Sequence, residues 1–322
     1  MRAGRDCPLD YRLPSDAFAG EPLFDCQSLY VVGGLYGNRQ ALAALQQRLD
    51  AEPQARVVFN GDAHWFDCDT PVFQEVEQGL SGHLALRGNV ETELGRLDDS
   101  GAGCGCAYPA SVDDALVERS NAIQRELSQT VQRLPGMAAR LAARPATALV
   151  SVGGQRVAIS HGDEYSLAGW SCAREALAEP GRQQQLDQWL AAKQVRVLAT
   201  SHTCAAVALN LAHGALINNG AAGLPNFADG HYGLISRIAT TAHPAALYRC
   251  QRDGLFIEAL PLHYAHEAFL ADFDRQWPTA SPAALSYRSR ILGAVADQPQ
   301  HALLAGFSLC QRLCAQEALT DE

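Results

Sequence analysis

No stretch of this sequence approaches the roughly 20 consecutive apolar residues that a membrane-crossing helix needs, so a chain built around such spans is excluded. The opening residues, MRAGRDCPLDYRLPSD, lack the apolar core that directs secretion, and a cytoplasmic location is the expectation. Basic residues are in deficit, with 25 Lys and Arg against 35 Asp and Glu and a formal net charge of −10. That balance argues against an extended nucleic-acid or anionic-membrane surface. A small phosphorylated ligand stays open, because a bound metal reverses the field locally. Internal repeats and low-complexity linkers are missing. Zinc-ribbon spacing is missing too: among ten cysteines, Cys104-Gly-Cys106 and Cys310-x-x-x-Cys314 are isolated pairs, and free thiols are expected.

What is present is an ordinary globular composition, 48% hydrophobic and 19% charged over 322 residues, enough for a large buried core. Residues 1–27 mix Pro, Asp and charged residues without period and read as an N-terminal arm. A short apolar, β-branched run at 29–34 and further strands at 56–59 and 83–87 alternate with helical spacing at 39–49 and 71–78, which is β-α-β-α-β order and predicts a largely parallel sheet under helices. The glycine-rich segment 98–109 reads as a loop, and Ser111 with Asp114 as the cap of a long helix reaching about 134. A shorter helix is predicted to 144, then a hairpin over 148–160 around Gly153-Gly154. Beyond it come a helix at 183–193 and strands at 195–200, 205–210, 215–218, 232–239, 246–250 and 255–260. Two sheets packed face to face with helices outside satisfy both halves, giving one domain over 28–262 and a helical C-terminal extension over 263–322.

The polar residues gather at strand ends. Asp62, Asn89, His161 and His202 each follow a predicted strand, where crevices form beyond the carboxyl ends of sheets. Each offers an oxygen or imidazole nitrogen able to bind a divalent cation. One such residue alone is ordinarily a turn or a hydrogen-bonded histidine; four in this order point to a metal site.

With Gly61-Asp62, Gly88-Asn89, His161-Gly162 and Ser201-His202-Thr203 in sequence over about residues 29–237, the chain resembles the calcineurin-like metallophosphoesterase superfamily. That family's motifs are D-x-H, G-D-x-x-D, G-N-H-[DE], a histidine before glycine, and G-H-x-H. The resemblance implies an α/β fold, a two-sheet β-sandwich flanked by helices in αββα layers, and it implies that Asp62, Asn89, His161 and His202 hold the second of two metals. It also exposes departures. Gly34-Leu35-Tyr36-Gly37-Asn38 stands where D-x-H-G-N is usual, Trp65 replaces the second aspartate of G-D-x-x-D, Val90 replaces the catalytic histidine while Glu91 stays, and Cys204 replaces the last histidine. Half of the two-metal clamp that phosphoryl transfer normally uses is therefore absent.

Two readings of the remaining candidates stay open. His64 and Cys204, with Asp67 nearby, could rebuild a further metal site, or His64 is loop packing and Cys204 a small residue in a vacated position. Tyr36, Asn38 and Arg87 are candidates for phosphate oxygens, or Tyr36 plugs the empty metal position. The Cys104/Cys106 loop follows Asn89 closely enough to lie over the site. An Asp/Asn/His₂ donor set suits Mn²⁺, Fe²⁺ or Zn²⁺ better than Mg²⁺ or Ca²⁺, and one firmly held ion is expected, a second being doubtful. The expected activity is metal-dependent hydrolysis of a small phosphoester, nucleotide-like ones included, of phosphatase or phosphodiesterase type. The alternative is a metallophosphoesterase-like protein without turnover that binds a metal, a nucleotide or a protein partner; an oligomer is compatible with either.

Overall fold

The computed structural model describes residues 1–96, 98 and 100–310. Among these residues two seven-stranded mixed sheets face one another. One runs Asp25–Cys26, Thr147–Val152, Gln155–Ser160, Val197–Thr200, Ala215–Asn219, Ala206–Asn210, Leu303–Ala305; the other runs Ser308–Leu309, Tyr248–Arg252, Leu255–His263, Tyr232–Ala239, Ser28–Val32, Arg56–Asn60, Leu84–Leu86. Ser28–Val32, Arg56–Asn60 and Leu84–Leu86 are parallel, as the alternation with helices requires.

Alternate residues of facing strands fill the space between the sheets: Leu29, Val31 and Val58 from one, Val150, Ile159 and Ile217 from the other. The opposite set, Tyr30, Val32, Val57 and Phe59, packs under helices Arg39–Ala51 and Thr70–Gly79 through Leu45, Leu49 and Val76. Helix Pro180–Lys193 covers the other sheet with Leu186, Trp189 and Leu190. The layering is thus αββα. No helix among the described residues is long and apolar enough to cross a membrane.

Several local expectations shift. Asp113, not Ser111, caps helix Asp114–Gln132, its carboxylate accepting from the Ala115 amide. Asn89 opens a short helix, Asn89–Leu94, with no gap after the strand turn. The N-terminal arm is packed down: Tyr11 is buried with its hydroxyl on Glu93, and Asp25–Cys26 pairs beside Thr147–Val152. After His263 the chain is helical over His266–Gln276 and Pro282–Ile291, then adds Leu303–Ala305 to one sheet edge and Ser308–Leu309 to the other. The nine cysteines among the described residues are free; Cys314, the partner of Cys310 in the C-x-x-x-C pair, lies outside those residues, as does the rest of the expected helical extension from 311.

Candidate metal centre

Four donors meet at the ends of four strands. Asp62 follows Arg56–Asn60, Asn89 follows Leu84–Leu86, His161 follows Gln155–Ser160 and His202 follows Val197–Thr200. The His161 Nε2 atom lies 3.3 Å from Asp62 Oδ2, 3.2 Å from Asn89 Oδ1 and 3.2 Å from His202 Nδ1. Asp62, His161 and His202 form a buried cluster that could hold a metal ion, and the Asn89 amide oxygen joins them.

Hydrogen bonds behind the donors decide which atoms face inward. His161 Nδ1 donates to the Asn60 carbonyl at 2.7 Å, which turns Nε2 toward the centre. His202 Nε2 donates to the Cys106 carbonyl at 3.0 Å, so its Nδ1 lone pair points inward. Asn89 Nδ2 donates to the Cys104 carbonyl at 2.9 Å, which turns its oxygen to the centre. A carboxylate oxygen, an amide oxygen and the His202 Nδ1 lone pair therefore converge on His161 Nε2 within 3.3 Å, an arrangement that a proton on Nε2 or a shared cation can satisfy. A cation satisfies all four at once, and the Asp/Asn/His₂ donor set fits a borderline divalent ion.

Asp62 and His161 are electrostatically paired: burial alone would lower His161, but the charge and hydrogen bond of Asp62, with the Asn60 carbonyl and Glu91 behind, raise it above its ordinary value. Burial alone would raise the Asp62 carboxyl, but the charge and hydrogen bond of His161, with His202 and the Val90 amide behind, hold it below its ordinary value. Burial, reinforced by His161, pushes His202 down to about 4, so it stays neutral near pH 7. Asp62 itself has φ 52°, a left-handed conformation that costs free energy in a non-glycine residue. Glu91 holds it there: one carboxylate oxygen accepts from the Asp62 and Gly88 amides, the other from Ala63. Gly88 is forced by close approach, since a Cβ there would lie 2.3 Å from Asp62 Oδ1.

The remaining candidates separate. Tyr36 packs against the centre, its hydroxyl hydrogen-bonded to Cys204 Sγ at 2.6 Å. A Cβ built on Gly34 would sit 2.9 Å from the Tyr36 ring carbon Cζ, so the tyrosine fills the space that a side chain at 34 would need. Burial raises both the Tyr36 phenol and the Cys204 thiol, and their mutual hydrogen bond engages the two groups with each other. His64 and Asp67 point elsewhere: His64 Nδ1 pairs with Asp67 at 2.5 Å and Nε2 with Glu77 at 2.8 Å, and its ring stacks on Phe73. Both nitrogens are engaged by carboxylates, so no lone pair is left for a metal. Asn38 is turned to structural work, capping helix Arg39–Ala51 and donating to the Gly223 carbonyl. Arg87 donates to the carbonyls of Ala142 and Arg144, outside the cavity that opens on the centre.

That cavity, about 210 Å³, is walled by residues that strand-end reasoning does not reach: Tyr108, Trp170 and Tyr287, with Trp65 and Cys106. The Cys104/Cys106 loop does lie at the site, and it acts through backbone carbonyls. Cys106 O accepts from both His202 Nε2 and Trp170 Nε1. A carbonyl carries no residue-type signal; the glycines at 103 and 105 were the available hint.

No protein-family model matches the chain, and no curated protein sequence matches it either. Solved structures do match. A hypothetical protein from Pyrococcus horikoshii superposes with a TM-score of 0.55 at 14% identity, over 80% of this chain and 97% of that one. A metallophosphoesterase from Sphaerobacter thermophilus superposes with a TM-score of 0.54 at 13% identity, over 84% and 100%. The chain has the calcineurin-like metallophosphoesterase fold.

Proposed function

We propose that this protein is a phosphoester hydrolase that works with one divalent ion held by Asp62, Asn89, His161 and His202. The observation that carries the reading is the convergence of Asp62, Asn89 and His202 on His161 Nε2, with the two imidazoles and the amide oriented by bonds behind them. Manganese, iron or zinc suits that donor set. When bound, such an ion supplies Lewis-acid polarisation of a phosphoryl oxygen and acidifies a water.

The chain's own residues do the rest. The Asn60 and Cys106 carbonyls hold the imidazoles in their ligating tautomers, and Glu91 fixes the aspartate turn. Aromatic walls exclude water and strengthen the field on a bound phosphoryl group. Val90, buried at the position where the family resemblance implies a histidine, has no proton to give a leaving group, so esters with acidic leaving groups are preferred.

The Tyr36–Cys204 hydrogen bond favours a second reading, a binder of a metal, a nucleotide or a protein partner that turns over slowly or not at all. Hydrolysis of a bis-aryl phosphodiester with Mn²⁺, measured for wild type and His161→Ala, separates the two. Catalysis predicts turnover that falls by at least ~100-fold in the variant, the upper end for disturbing a metal site. Metal uptake with no turnover across a panel of phosphoesters would select the binder.

A further inference from the structure

Resting on the single-ion reading, we infer that the ligand this site takes is a monoanionic phosphoester bearing a ring-sized apolar substituent, and not a dianionic phosphomonoester. Three observations lead there. The first is charge. Among the described residues lining the cavity, Asp62 is the one carboxylate, and neither lysine nor arginine is present. A divalent ion is already balanced by Asp62 and by Glu91, buried directly behind it. Each negative charge on a ligand therefore enters that low-dielectric site without a partner, and a dianion brings twice what a monoanion brings. The nearby Arg290 is already turned to the carbonyls of Pro225 and Cys204.

The second observation is the wall. Tyr108 and Trp170 lie side by side, 5.9 Å between ring centroids, and Trp170 stands edge-on to His202 at 5.3 Å. Tyr287 also lines the cavity and is set by a T-shaped contact with Phe66 at 5.1 Å. The Trp170 indole N–H is tied to Cys106 O and the Tyr108 hydroxyl to Ser120 Oγ, so these rings are fixed in place. Rigid aromatic faces beside a phosphate-binding ion gain most from a flat apolar group.

The third is size. A cavity of about 210 Å³ exceeds the ~150 Å³ that encloses a benzene ring and falls below the ~300 Å³ at which pockets for larger ligands begin. It encloses a phosphate's substituent of one ring; a nucleotide would leave much of itself in solvent.

The test is equilibrium binding to the zinc-loaded full chain at pH 8, read by tryptophan fluorescence and calorimetry, and independent of turnover. Diphenyl phosphate is compared with dimethyl phosphate (same charge, no ring) and phenyl phosphate (one ring, dianionic). Diphenyl phosphate is expected to bind at least ~10-fold tighter than either, a factor within reach of one buried aromatic contact. Tyr108→Ala should lower the diphenyl affinity and leave the dimethyl affinity and zinc content unchanged. Phenyl phosphate binding as tightly as diphenyl phosphate, equal affinity for the dimethyl and diphenyl esters, or no binding by a zinc-loaded chain overturns the inference and leaves the ion site standing. Failure to hold zinc overturns both.

Discussion

Glu91 is the residue on which the aspartate's geometry turns. Its carboxylate accepts three backbone amides, those of Asp62, Ala63 and Gly88. Glu91→Gln keeps one acceptor oxygen and sets an N–H against an N–H, so a loss of about 2 kcal/mol is expected, as for a buried donor left unsatisfied. Ion affinity should fall by ~10–100-fold as the aspartate loosens. Urea unfolding and zinc titration check the two effects separately. Gly88→Ala drives a methyl group onto Asp62 Oδ1 and is expected to abolish ion binding while far-ultraviolet circular dichroism stays native. At this scale the sequence was informative where chemistry is written in side chains: Asp62, Asn89, His161 and His202 are visible as polar residues ending apolar runs. It was silent where chemistry is written in backbone, as at Cys106 O, or in a partner distant along the chain. Nothing in the spacing of Asp62-Ala63-His64 reveals that Glu77 claims the imidazole.

Among the elements, His64 forms a buried junction. It links the loop after strand Arg56–Asn60 to helix Thr70–Gly79 through Glu77, and Glu77 in turn pairs with Arg144, just beyond helix Met137–Ala142. Burial alone would raise the Glu77 carboxyl, but the hydrogen bond and charge of His64, with Arg144, bring it to about 2 from 4.5. A depressed carboxyl stabilises the fold above its unfolded value and loses that contribution as pH falls. Glu77→Gln should therefore cost about 3 kcal/mol near pH 7 by breaking a buried pair. The difference from wild type should narrow as pH drops from 4.5 toward 2; denaturation at pH 7, 4 and 3 measures it. A constant difference would mean that Glu77 acts by packing alone. The central strands were legible as short apolar runs ending at glycine or a polar residue, whereas the edge pairs Asp25–Cys26, Leu303–Ala305 and Ser308–Leu309 are too short to show one. The strand Tyr232–Ala239 was read to its ends. The short helix Asn89–Leu94 was not, because six residues are too few to display a period.

Seen as a whole, the molecule walls its site with a late helix and backs the 104–106 loop with the N-terminal arm. The N-terminal arm places Tyr11 against Glu93, and helix Pro282–Ile291 brings Tyr287 to the cavity wall. Phe269, Phe273, Trp277 and Ile291 are buried in the cluster that surrounds that wall. Removing residues 265–322 would expose their partners. At about 1.5–3 kcal/mol for each large side chain, the loss matches the ~5–15 kcal/mol that holds a typical domain together. Such a truncated chain is expected to lose its near-ultraviolet circular dichroism and its zinc together; a native spectrum would show the extension to be dispensable.

The ion site itself is tested most directly by the metal-to-chain ratio. Wild type and His161→Ala are loaded with zinc, dialysed against metal-free buffer and measured by elemental analysis. One ion per chain in wild type and none in the variant is the expected result, because the Tyr36–Cys204 pair fills the second position. No ion in wild type, two ions, or an unchanged ratio in His161→Ala would contradict it.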